Sequence, residues 1–78
     1  MSFRDLHDRL TDHILYRVRN GEMSERGLAR RAGISQPHLH NVLKKKRLFS
    51  LESADLLLRE LDISLLDLLV RPEDLTYR

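Results

Sequence analysis

Apolar side chains recur along this chain at steps of three and four, and no segment alternates with a period of two. Phe3, Leu6, Leu10, Ile14 and Val18 make one such stripe, which predicts a helix over 3–19 with Ser2 as its N-cap and Asn20-Gly21 as its stop. Ser24 begins a second helix running to about Ala32, where Gly33 ends it, and Ser35 begins a third running to about Leu43. Ser50 precedes a fourth, on which Leu51, Ala54, Leu57, Leu58 and Leu61 share a face. Ser64, with Asp67 three residues on, matches a capping box and opens a short fifth helix that stops before Pro72. The fold class expected is therefore all-α. Five short helices surround one core in a single domain over 1–78, with a tail over 71–78.

The segment 24–43 holds the most specific pattern. Ala29 and Gly33 sit four apart, apolar residues fall at Leu28, Ala32, Ile34, Leu39 and Val42, and Ser35-Gln36 opens the next helix. Two helices that cross steeply through a short turn need a small side chain where they touch and a residue tolerant of positive φ in the bend. This is the pattern of a helix-turn-helix. Projected at about 100° per residue, the third helix turns Leu39, Val42 and Leu43 to one side and Pro37, His40, Asn41 and Lys44 to the other, with Gln36 at its start. Glutamine and asparagine can each pair two ways with adenine in the major groove, and a proline ring can pack on a thymine methyl. Gln36, Pro37, His40 and Asn41 are accordingly the candidate base contacts.

The formal net charge of +2 hides an uneven distribution. Residues 1–23 balance Arg4, Arg9, Arg17 and Arg19 against Asp5, Asp8, Asp12 and Glu22. Residues 24–47 set Arg26, Arg30, Arg31, Lys44, Lys45, Lys46 and Arg47 against Glu25 alone, a local charge of +6, whereas residues 48–78 carry −4. Basic charge thus gathers on the helix-turn-helix and the loop after it, which points to a polyanion partner on that side.

Other chemistry finds little support. With no cysteine there is neither a disulfide framework nor a thiolate metal site. Metal-binding histidine pairs on a helix want i, i+4 spacing; His38 and His40 are two apart and His7 and His13 six apart, so no metal site is expected. No glycine-rich phosphate loop is present, and neither enzyme activity nor a cofactor is expected. No apolar run approaches the roughly 20 residues that cross a bilayer, and the charged start MSFRDLHDRL has no signal-peptide core. A cytoplasmic, nucleoid-associated protein without membrane contact is the expectation.

These residues resemble the phage repressor and Cro type of helix-turn-helix regulator, the xenobiotic-response-element family. The resemblance spans roughly 8–70 and rests on Leu28-Ala29, Ala32-Gly33-Ile34-Ser35-Gln36, Leu39, Val42, the basic loop through Arg47, and Ser50-Leu51. It implies a five-helix, lambda-repressor-like domain that binds operator DNA sequence-specifically as a two-fold dimer. It also implies that the third helix lies in the major groove, with Gln36, Pro37, His40 and Asn41 at base-reading positions. Ser24 and Arg26, at the start of the second helix, would approach one phosphate, and Lys44, Lys45, Lys46 and Arg47 another.

Three positions depart from that family pattern. Glu25 stands where a phosphate-touching glutamine is common, and could pair with a neighbouring arginine instead. Lys45 replaces a glycine, so a left-handed backbone there would be strained. Phe49 stands where proline is common and reads as an anchor for the fourth helix.

The fifth helix, with Leu65, Leu66, Leu68, Leu69 and Val70, is apolar over about 200° of its circumference, twice what packing on one core requires. Leu56 also falls out of register with the face of the fourth helix. Leu56, Leu66 and Val70 are therefore expected to line a homodimer contact, unless Leu75 and Tyr77 of the tail fold back over them. The reading as a whole is a transcriptional repressor, with no small-molecule effector expected in 78 residues. The rival readings are a protein-interaction adapter on a helix-turn-helix scaffold, and an antitoxin-type autoregulator.

Overall fold

Each helix opens on a serine whose hydroxyl accepts the backbone N–H three residues on. Ser2 accepts from Asp5 at 3.1 Å, Ser24 from Gly27 at 3.0 Å and Ser35 from His38 at 3.2 Å. Ser50 accepts from Ser53 at 3.1 Å and Ser64 from Asp67 at 3.3 Å. A side-chain oxygen at this position satisfies one of the donors that a helix start leaves without a partner. At Ser2 and Ser64 the cap is reciprocal: Asp5 and Asp67 accept the serine N–H at 3.0 and 2.8 Å. The Ser2 contacts hold the Asp5 carboxyl below its ordinary pKa.

The computed structural model describes residues 2–69. Among them lie five helices: α1 (Phe3–Arg19), α2 (Glu25–Ala32), α3 (Gln36–Leu43), α4 (Leu51–Leu61) and α5 (Leu65–Leu69). Helix α2 packs on α3 and α4, and α1 packs on α3 and α5. The core is aliphatic: Leu10 and Ile14 of α1, Leu28, Ala29 and Ala32 of α2, Leu39, Val42 and Leu43 of α3, Leu57 and Leu61 of α4, and Leu68 of α5. Phe49, buried, anchors the loop ahead of α4.

Three apolar positions behave differently from their place in the pattern. Phe3 and Leu51, though in register with their stripes, are 73% and 69% exposed, because each sits in the first turn of its helix, beyond the end of the core. Both border an apolar groove of about 340 Å³ between the start of α1, α4 and α5, with Leu6, Leu10, Leu58 and Leu68 along its walls. Leu56, expected to point away from the core, is half-buried and packs against it. Leu66 is exposed as expected, and Val70 with the tail lies outside the described residues.

Two arginines of α1 close the ends of other helices. Arg9 donates through Nη1 to the carbonyls of Leu68 and Leu69 at 2.8 and 2.9 Å, at the end of α5. Arg17 donates to the Leu61 carbonyl at 3.2 Å, at the end of α4, and pairs with Glu22 at 3.3 Å. Helix C-termini leave carbonyls without intrahelical donors, and a cation there also complements the helix dipole. Among the described residues no helix is long and apolar enough to cross a membrane.

Candidate nucleic-acid interface

The turn between α2 and α3 is made by Gly33, at φ 75°, with the Ile34 N–H returning to the Ala29 carbonyl at 3.0 Å. This left-handed closure lets α3 leave α2 at once. Ala29, 2% exposed, brings the two helices close, and Leu39 and Val42 seat α3 on the core without residual exposure. With those positions inward, the opposite flank of α3 is fixed. Gln36, Pro37 and His40 are exposed and Asn41 is half-buried. All four candidate reading residues therefore lie at or near one surface.

His40 carries a contact the sequence reading did not anticipate. Its Nδ1 lies 3.1 Å from Oε1 of Glu25 in the first turn of α2. Glu25 is thus paired with this histidine, not with an arginine. Arg31 instead reaches Glu60 of α4 at 3.6 Å. The pairing of residues 25 and 40 couples the two helices of the motif at the side where the polar flank begins.

Helix α3 ends in the same left-handed device as α2, with a lysine in the bend. Lys45 has φ 66°, its N–H bonds the Val42 carbonyl, and the Lys46 N–H reaches back to the Asn41 carbonyl at 2.9 Å. The lysine side chain is anchored to α1: Nζ donates to Thr11 Oγ1 at 2.8 Å and lies 3.3 Å from Asp8 and 3.5 Å from Asp12. Lys45, expected at a phosphate, therefore also contacts α1. Its ammonium is balanced by two carboxylates and serves as a brace between α1 and the end of α3. Lys44, Lys46 and Arg47 are exposed, and among the described residues none has an ion-pair partner. Ser24 is exposed at the opposite end of the motif, its hydroxyl already accepting from Gly27, and Arg26 beside it is exposed too.

The basic loop is held by aromatic packing. Phe49 lies between His7, with centroids 5.4 Å apart, and His38, at 6.2 Å and nearly edge-on. Its backbone N–H donates to His7 Nε2 at 3.0 Å. His7 and His13 are both half-buried, and burial is the largest influence lowering the pKa of each. His7 supports the framework through Phe49. Among the described residues no group of three or more metal-ligating side chains comes together.

Set against known proteins, the chain matches a family model described as helix-turn-helix over residues 15–68, which takes in part of α1, all of α2 to α4 and most of α5. No curated protein and no solved structure matches it.

Proposed function

This chain belongs to the helix-turn-helix family of DNA-binding transcriptional regulators, the xenobiotic-response-element type, and from that premise we propose that it is a repressor that binds a two-fold operator as a homodimer. The observation that carries this reading is the flank of α3: Gln36, Pro37 and His40 stand exposed beside a loop whose Lys44, Lys46 and Arg47 have no ion-pair partner among the described residues. A polar flank rimmed by unbalanced cations suits a duplex groove, where side chains meet base edges and lysines neutralise the adjoining phosphates. In this proposal Gln36, Pro37, His40 and Asn41 face bases. Ser24, Arg26, Lys44, Lys46 and Arg47 face phosphates, with Lys45 holding the loop in place.

The dimer contact proposed is centred on α5, where Leu65, Leu66 and Leu69 are all exposed. Leu66 stays central to it, and Leu56 contributes at most the edge that packing on the core leaves accessible. Two α3 helices about 34 Å apart would then meet half-sites one helical turn apart. Repression follows most simply from occupying a site that polymerase needs, inside the cell where the DNA is.

The test is selection of bound duplexes from a random pool, followed by titration of the selected and a scrambled duplex at two salt concentrations. A two-fold consensus and a steep salt dependence are expected. Failure to bind any duplex at low salt would reject the reading in favour of an adapter role, for which the apolar groove between α1, α4 and α5 would be the docking face.

A further inference from the structure

Resting on that DNA-binding reading, we infer that Glu25 fixes the hydrogen-bonding sense of His40 and thereby makes it a hydrogen-bond acceptor that selects adenine or cytosine. The geometry is a single contact with one chemical solution. An ionised carboxylate can only accept, so the Nδ1 that lies 3.1 Å from Glu25 Oε1 carries the proton. In a neutral imidazole the other nitrogen, Nε2, is then an acceptor. Glu25 is the more buried of the two, with 25% of its side chain accessible against 48% for His40, so the carboxylate is the fixed member and the ring presents itself outward.

The sense of Nε2 decides which bases satisfy it. In the major groove an acceptor pairs with the exocyclic amino groups, N6 of adenine and N4 of cytosine, whereas a donor pairs with N7 of either purine, O6 of guanine or O4 of thymine. A histidine free to choose its tautomer can serve either set. Held by Glu25, it serves one. Glu25 is therefore a positioning residue for specificity: it opposes phosphates by its charge, yet narrows what the neighbouring histidine accepts.

Two measurements test this at pH 8.0, well above the ordinary imidazole value of about 6.5. The first is the ¹⁵N spectrum of the imidazole in the DNA-free protein, which distinguishes a protonated from an unprotonated ring nitrogen. His40 should show a protonated Nδ1 and a bare Nε2, and Glu25→Ala should abolish that bias. The second is duplex selection with the wild type, Glu25→Ala, Glu25→Gln and His40→Ala, with thermal melts confirming that each variant is folded. The position read by His40 is the one whose preference disappears in His40→Ala.

There the wild type should favour A or C about five- to tenfold, as one hydrogen bond to a base allows. Glu25→Ala should reduce this below about twofold while tightening binding to random duplex, because a negative charge has left the interface. Glu25→Gln, whose amide can either accept or donate, should fall between the two. Preferences at positions read by Gln36 and Asn41 should persist. A bare Nδ1 in the wild type, a preference for G or T, or an unchanged preference in Glu25→Ala overturns the inference while leaving the DNA-binding reading intact. Absence of binding to any duplex removes both.

Discussion

The backbone N–H of Phe49 donates to Nε2 of His7 across 3.0 Å, joining the loop that follows α3 to the first turns of α1. The bond requires His7 to be neutral, since a protonated imidazole has no acceptor left. Burial lowers the His7 pKa, with Lys45 and Arg4 adding to it and Asp8 opposing. His13 is lowered for the same first reason.

Stability should therefore fall on mild acidification. Below the ordinary histidine value of about 6.5 the unfolded chain takes up protons that the folded one resists, so folding weakens as pH drops from there through the lower folded-state values. Urea unfolding should give a lower midpoint at pH 5.5 than at pH 7.5. In His7→Phe the difference should narrow to what His13 contributes. That variant leaves the Phe49 N–H without an acceptor and should be less stable at pH 7.5 by about 1 to 3 kcal/mol.

Lys45 combines a costly backbone with a useful side chain. Lys45→Ala and Lys45→Gly both lose the contacts with Thr11, Asp8 and Asp12, but only glycine relieves the left-handed conformation. Lys45→Gly should therefore be more stable than Lys45→Ala by about 1 kcal/mol. Equal stability in denaturant titrations would mean that the bend carries no strain.

The same residue separates structure from DNA binding. Lys44→Ala and Lys46→Ala should each lower the slope of log K against log salt by about 0.9, the value for one phosphate contact. Lys45→Ala should lower it less, because two carboxylates already balance that ammonium. Binding isotherms on random duplex at four salt concentrations would rank the three.

Gly33→Ala should destabilise by about 1 kcal/mol through backbone conformation alone, since a Cβ there would meet nothing within 4 Å. A loss well above that, measured by thermal or urea unfolding, would show that the α2–α3 turn had moved.

Much of this fold is legible in the chain because local rules and global packing agree. Serine caps, the two stop glycines and the 3–4 spacing of leucines place the five helices, and the inward turn of Leu39, Val42 and Leu43 exposes the opposite flank of α3. What the pattern does not carry is any contact set by how helices meet. Arg9 and Arg17 read as solvated charges on α1, and only the packed structure turns them onto carbonyls 44 to 60 residues away. Phe3 and Leu51 satisfy their stripes, yet the core ends before it reaches them. Lys45 shows the same limit: its charge suggests phosphate, and its position beside Asp8 and Asp12 makes it a brace. For Glu25, a hydrophobic period says nothing about a polar pair fifteen residues apart. An unexpected acid among seven basic residues was the available signal.

The arginine clasp has a consequence for how far this domain can be shortened. Arg9, His7, Asp8 and Thr11 all precede residue 15, where the family match begins, yet they secure the end of α5, the Phe49 loop and the lysine bend. A fragment trimmed to the matched boundaries would keep every side chain proposed to face DNA and forfeit the scaffolding that aims them. The recognisable part of the molecule is thus not its self-sufficient part.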